Sequence, residues 1–207
     1  MVVELLVATT NTGKLAEIEA VLKYLPIQVL SLSALKDYPE VVEDGTSYEE
    51  NARKKARTLA EFSGYLTLAD DSGLEVDALD GAPGIQSARF SGADADDARN
   101  NEKLLRALGD LPWEKRGARF VCVMALCCPA SGRRLEWIFH GVCEGSIAFE
   151  LRGPRGFGYD PLFFYPPLGK TFGEVDRAIK GRYSHRGKAL AKLTQALPFV
   201  LQNLPNP

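Results

Sequence analysis

The sequence predicts an α/β chain with mixed strand order, on three observations. Short apolar runs of strand length alternate with segments whose apolar residues recur at helical spacing. The run Arg119 to Cys128 is almost unbrokenly apolar and reads as a central strand buried on both faces. The joints between these elements are polar and hold the residue combinations that suggest chemistry, an arrangement that predicts a cleft between two lobes.

The elements follow in order. Met1 to Ala8 reads as a first strand. Leu15, Ile18, Leu22 and Leu25 then share one helical face, and Pro26 closes that helix. A second helix is marked by a capping box of Ser47 with Glu50, a packing face of Ala52, Ala56, Leu59 and Ala60, and Gly64 just past its end. Tyr65 to Ala69 is a short buried strand, after which Ser72-Gly73 supplies turn chemistry. A third helix is expected from about Asp96 to Leu108, with Asp96 and Asp97 at its positive end. Ser131-Gly132 turns the chain out of the central strand into Leu135–Val142, whose alternation predicts one wetter face. The last helix begins near Ser184 and stacks Leu190, Leu193 and Leu197; Pro198 is expected to end or kink it.

Composition narrows the function classes. At 207 residues, one large or two-lobed domain can bury a sizeable core. Twenty-five basic against 27 acidic residues give a formal charge of −2, which argues against a protein that lives on the nucleic-acid backbone. No apolar run reaches the roughly 18 residues of a membrane span. The N-terminal segment lacks the charged region of a secretion signal and reads as a strand. Cys122, Cys127, Cys128 and Cys143 show no CxxC pairing and are expected as buried, reduced thiols, so the expected location is cytoplasmic.

The most informative joint is Ala69-Asp70-Asp71-Ser72-Gly73-Leu74, where two adjacent carboxylates stand at the expected exit of a buried strand. Paired oxygen ligands suit Mg²⁺, which binds through one or two carboxylates plus substrate phosphates. Taken alone, such a segment is more often a solvated Asx turn. Thr9-Thr10-Asn11-Thr12-Gly13-Lys14 joins the first strand to the first helix, and hydroxyls, an amide, a glycine and a lysine at a helix N-terminus suit a phosphate. Lys14 opposes the helix dipole unless an anion accompanies it. The spacing is not a Walker A loop.

Glu43 and Asp44 precede the second helix with no capping role, and Glu43 is the sharper candidate for a second metal carboxylate. Gly153-Pro154-Arg155-Gly156-Phe157-Gly158-Tyr159-Asp160-Pro161 sets three glycines around two aromatics able to stack on a flat ring, a contact worth about 1–3 kcal/mol per base. Its GxxGxG spacing is not the dinucleotide fingerprint. Lys180-Gly181-Arg182-Tyr183-Ser184-His185-Arg186-Gly187-Lys188 leads into the last helix; His185 and Arg186 again put positive groups at a positive dipole end, a conflict that an anionic or carbonyl-bearing ligand would resolve.

In this order the segments resemble the inosine triphosphate pyrophosphatases, over nearly the whole chain. The blocks ADDSGLEV, GAPG with SAR, FGYDP and SHRG carry the resemblance. It implies a single domain, 1–207, with an elongated mixed β-sheet flanked by helices, two lobes around a central cleft, and a homodimer. It also implies Mg²⁺-dependent hydrolysis of deaminated purine nucleoside triphosphates (dITP, ITP, XTP) to the monophosphate and pyrophosphate. On that pattern Thr9, Thr10, Asn11, Thr12, Gly13 and Lys14 hold the triphosphate. Asp71 is the base that activates water and also meets the metal, with Glu43 as companion and Ser72 touching substrate. Phe157, Gly158, Tyr159 and Asp160, with Lys180, His185 and Arg186, surround base and sugar. Asp70 is left between a further metal contact and a structural role. The 6-keto oxygen would accept a hydrogen bond from Arg186 or His185, and a site needing that partner rejects analogues lacking it by roughly 10⁴–10⁵.

Three positions depart from the family pattern: Val42 where some members carry an acid, Ala178-Ile179 before Lys180, and Arg155 before GFGYDP. Two other functions stay in view, a pyrophosphatase for pyrimidine or other modified triphosphates and a non-catalytic nucleotide-binding module. The FGYDP and SHRG blocks speak against the first, and Lys14, Glu43, Asp70 and Asp71 against the second.

Overall fold

A computed structural model describes residues 2–93, 96–129 and 135–204. Their order is β1 (Val3–Val7), α1 (Thr12–Leu22), β2 (Ile27–Ser31), α2 (Tyr48–Ser63), β3 (Leu66–Val76), α3 (Asp97–Leu108), β4 (Gly117–Cys128), β5 (Leu135–Ile147), β6 (Phe163–Tyr165), β7 (Lys170–Thr171), α4 (Arg177–Tyr183) and α5 (His185–Gln202). Among the described residues, seven strands form one mixed sheet in the order β2-β1-β3-β4-β5-β6-β7. β1 runs parallel to β2 and β3, with Leu5 opposite Val29 and Leu66, while β5–β6 and β6–β7 are antiparallel. The α/β class and mixed strand order match the sequence expectation. So does the central place of β4, buried without interruption from Cys122 to Cys128.

The chain divides into two compact units, and β3, β4 and β5 contribute to both. The first comprises Met1–Asp71, Cys122–Gly141 and Arg186–Pro207. Its core joins Leu5 and Val7 of β1, Ile18 and Leu22 of α1, Leu66 and Leu68 of β3, Met124 and Leu126 of β4, and Leu190, Leu193, Leu197 and Val200 of α5. The second comprises Ser72–Val121 and Val142–His185, and its core joins Leu74, Val76, Leu104, Leu108, Phe120, Ile147, Phe163 and Phe172. All four cysteines are buried free thiols, as composition suggested, and burial pushes the Cys122 thiol up to about 12. No helix among the described residues is long and apolar enough to cross a membrane.

Several local expectations change. Ser72-Gly73 makes no turn: β3 continues unbroken to Val76, because Leu74 and Val76 have a core of their own to enter. Asp70 and Asp71 therefore lie in mid-strand. The Ser47 hydroxyl accepts from the Glu50 amide as a cap should, and the Glu50 carboxylate reaches past the Ser47 amide to accept chiefly from the Thr46 amide and hydroxyl. The packing face of α2 is buried as expected, and Gly64 ends the helix at φ 74°. α1 stops at Leu22 and leaves Leu25 outside, where it packs on the core from the approach to β2. β5 extends beyond Val142 to Ile147, with the expected alternation most regular from Phe139 to Glu144. Pro198 does not end α5, since Leu197 and Val200 on either side of it are both buried in the core. The expected Ser131-Gly132 turn lies outside the described residues.

Arg116 anchors the second unit. Its guanidinium, 1% exposed, donates to the carbonyls of Ile147, Ala148, Gly109 and Leu111 and lies 4.6 Å from the Phe149 ring centre. One side chain thus satisfies the end of β5 and the chain that leaves α3. Arg116→Ala takes this donor away from the buried carbonyls of Ile147 and Ala148 and is expected to destabilise the protein by about 3 kcal/mol or more, since each buried unsatisfied group costs about 1–3 kcal/mol. Urea unfolding at neutral pH checks it; a loss below half that figure contradicts the anchoring role.

Candidate active site

The loop Thr9–Thr12 leaves β1 where Ala8 still donates its amide to Leu68 of β3. Thr9 Oγ1 accepts from the Asn11 amide, and Asn11 Oδ1 caps α1 by accepting from the Lys14 amide at 2.9 Å. Thr10, Asn11 and Thr12 are exposed, whereas Thr9, Gly13 and Lys14 are half-buried. Lys14 Nζ lies 3.1 Å from Asp70 Oδ2. The same oxygen accepts from Arg186 Nη2 at 3.1 Å, and Arg186 Nη1 donates to Glu17 Oε2 at 2.6 Å. The anion expected beside both Lys14 and Arg186 is therefore present in the chain itself.

Asp70, Glu17 and Arg186 are almost wholly buried, so this cluster has two cations and two carboxylates in a low-dielectric setting. Burial alone would push the Asp70 carboxyl up. Lys14, then Arg186 and Lys55, outweigh it and hold the pKa far below the ordinary carboxylate range. Burial likewise opposes the Arg186 charge, and Asp70 and then Glu17 more than offset it, so its pKa is raised.

Asp71 has the opposite fate. Successive strand residues face opposite sides of a sheet, and Asp71 takes its hydrogen bond from Asn51 Nδ2 of α2 at 3.0 Å. Burial is the main cause that raises its pKa; the Asn51 bond opposes that rise and the nearby Glu43 charge adds to it. Glu43 is half-buried and paired with Lys55. Two adjacent residues thus have carboxyl groups shifted in opposite directions, one neutralised by cations and one coupled to a second acid. No group of three or more His, Cys, Asp or Glu side chains suited to hold a metal occurs among the described residues.

The expected base-binding residues of the second unit form a separate cluster. Asp160 Oδ2 accepts from the Phe157 amide at 2.9 Å and from Lys180 Nζ, both carboxylate and ammonium being buried. Lys180 Nζ also sits 4.4 Å from the Phe157 ring centre. Gly156, at φ 79°, makes this turn possible, since a Cβ there would fall 2.2 Å from the Asp160 carboxylate. α3 clamps the peptide of Gly158: Asp97 Oδ2 accepts from its amide at 2.6 Å and Asn101 Nδ2 donates to its carbonyl at 2.9 Å. Tyr159 enters the core instead, with its hydroxyl donating to the Ser87 carbonyl. His185 is buried and stacks on Phe120 at 4.6 Å. Arg155, a departure from the family pattern, donates to the Glu174 carbonyl.

The structure thus joins Lys14, Asp70 and Arg186 in one cluster, Asp71 and Glu43 in a second, and Phe157, Asp160 and Lys180 in a third. Ser72 is half-buried on β3, the first residue of the second unit. Sequence reasoning missed Glu17, Asn51 and Lys55. Their signal was present as spacing: Glu17 falls three residues after Lys14, and Asn51 and Lys55 are one turn apart on α2.

Fold and site together define an open-sheet α/β protein with buried ion pairs that join β3 to α1 and α5 and Asp160 to α4. The chain belongs to the Ham1 family, whose model it matches over residues 5–196. It is 52% identical to the dITP/XTP pyrophosphatase of Syntrophobacter fumaroxidans across 96% of this chain and 83% of that protein. It is likewise 52% identical to the dITP/XTP pyrophosphatase of Geobacter sulfurreducens across 93% of this chain and 96% of that one. Among solved structures, a HAM1 protein from Coxiella burnetii aligns with a TM-score of 0.84 at 41% identity, over 95% of this chain and 99% of the other.

Asp70→Asn tests the buried cluster. Removing one charge strands the cations facing it, so a loss of about 3–5 kcal/mol is expected at neutral pH. Because the folded Asp70 pKa is depressed, its contribution is present above the unfolded value near ~3.9 and is lost as pH falls toward the folded one. The gap between wild type and variant should therefore narrow in denaturant titrations below about pH 4. A gap that stays constant down to pH 2 would falsify this account.

Proposed function

We propose that this protein hydrolyses deaminated purine nucleoside triphosphates, dITP, ITP and XTP, to the monophosphate and pyrophosphate. The observation that carries the reading is the division between Asp70 and Asp71: one carboxylate is held ionised by Lys14 and Arg186, and its neighbour has a raised pKa beside Glu43. Two dITP/XTP pyrophosphatases at 52% identity support the choice of reaction and substrate.

Water attacks the α-phosphorus, its proton passes to the Asp71 carboxylate, and the bond to the bridging oxygen of the departing pyrophosphate breaks. A carboxylate whose pKa lies above the usual value is better suited to take that proton near neutrality. Lys14, at the N-terminus of α1, offsets charge on the phosphates together with the backbone amides of the Thr9–Gly13 loop. In the second unit, Phe157 offers a ring to the base, Lys180 and Asp160 hold that ring's backbone in place, and His185 donates toward the 6-keto oxygen. Ser72 contacts substrate beside Asp71.

Glu43 and Asp71 fit Mg²⁺. Their charges are close enough that Glu43 raises the Asp71 pKa, and a divalent ion relieves that repulsion. Mg²⁺ needs only one or two carboxylates when substrate phosphates and water complete its shell, so a cage of three protein acids is not required. When bound, it supplies neutralisation of the triphosphate charge. A homodimer and a cytoplasmic location belong to the same reading.

A panel of triphosphates with Mg²⁺, resolved by product, tests the proposal. Monophosphate and pyrophosphate should form from ITP, dITP and XTP, with ATP and dGTP nearly untouched. Asp71→Asn should retain substrate binding and lose about 10²–10⁴ in kcat, the span typical of a proton-transfer group. Orthophosphate release would overturn the bond assignment, and wild-type turnover by the variant would overturn the base.

A further inference from the structure

Asn51 sits one turn into α2, only 1% exposed, and uses both ends of its amide. Nδ2 donates to Asp71 Oδ2 at 3.0 Å, while Oδ1 accepts from the Gly45 amide at 2.8 Å. The two partners fix the orientation of the amide, since a backbone N–H only donates and a carboxylate only accepts. Gly45 follows Glu43 by two residues. One buried side chain therefore joins the loop that carries Glu43 to the carboxylate on β3. The approach is close: a Cβ on Gly45 would lie 2.6 Å from Asn51 Oδ1 and 2.9 Å from Glu50 Cβ. The next turn of the loop is also held, by the Thr46 amide on Glu50 and the Glu50 amide on Ser47.

We propose that Asn51 is a positioning residue, holding the Asp71 carboxylate in one orientation and at a fixed station relative to the Glu43 loop. The inference rests on Asp71 being the group that takes the proton from water. No other residue type of this size serves both partners. Aspartate at 51 keeps an acceptor for Gly45 but presents a second carboxylate to Asp71. Alanine removes both bonds, so that the Gly45 amide and the Asp71 carboxylate each lose the one they make to Asn51.

The test compares Asn51→Asp, Asn51→Ala, Gly45→Ala and Asp71→Asn with wild type. It reads kcat and KM for pyrophosphate release from ITP with Mg²⁺, and thermal melting of each protein. Groups that orient a reacting or metal-binding side chain typically cost about 10–100-fold when lost, and that fall is expected in kcat with KM little changed. Asn51→Asp is nearly isosteric and serves if Asn51→Ala fails to fold. Gly45→Ala crowds the same amide from the loop side and should lower kcat in the same direction. A folded Asn51→Asp with wild-type kcat, beside an inactive Asp71→Asn, overturns the positioning role and leaves the base assignment standing. Wild-type turnover by Asp71→Asn overturns both. A lowered melting temperature in Asn51→Asp with kcat unchanged makes Asn51 a structural residue only, and also overturns the proposal.

Discussion

The buried charge of Asp70 is the constraint on which the first unit depends. Placing an ionised carboxylate at 1% exposure costs several kcal/mol unless cations share the burial. Lys14 from α1 and Arg186 from α5 provide them, and Glu17 balances the second cation. Each partner is needed because the others are there. Removing any one exposes a net charge in a place water does not reach. The three elements that supply these side chains also share the apolar core of β1, β3, β4 and α5, so packing and electrostatics fix the same arrangement.

From that constraint follows the difference between two neighbours in sequence. β3 is a strand through both aspartates, and the alternation of side chains sends Asp70 to the cations and Asp71 to α2. A turn at this position, as Ser72-Gly73 suggests in isolation, would have left both carboxylates free to share a role. The strand enforces the split. It also places the boundary between the two compact units directly after Asp71, as the boundary before Arg186 divides the SHRG block. The second unit repeats the logic on a smaller scale: Asp160 and Lys180 are buried as a pair, and the pair holds the Phe157 turn.

Much of the scaffold was legible in the sequence because it rests on local signals. The face of α2, its Ser47 cap and Gly64, the acidic start of α3 and the continuous burial of β4 all follow from periodicity, capping and the helix dipole. The errors have a common cause, which is that distant packing overrode local preference. Leu74 and Val76 draw β3 past its glycine, and Leu197 and Val200 carry α5 past its proline. β6 and β7 escaped notice because strands of three and two residues carry too little pattern to separate from loops, and β2, with a single buried residue, lacks the apolar run that marks β1. In the site, the anomalous placement of Lys14 and Arg186 at positive helix ends was readable. That their anion is Asp70 was not, because Asp70 and Arg186 stand 116 residues apart.

The same pairing sets how strongly the cations act on Asp71. Lys14 and Arg186 both converge on a single oxygen of Asp70, and Lys55 is occupied by Glu43. Burial acts first on Asp71, followed by the Asn51 hydrogen bond and the repulsion of Glu43, and the charges of Lys14 and Lys55 lower its pKa by less. An ion pair at that position would have lowered its proton affinity, as it does at Asp70. A neutral donor orients the carboxylate and weakens its basicity less than a full positive charge would. Asn51 on α2 supplies that neutral donor, and Lys55 one turn further on is turned to Glu43.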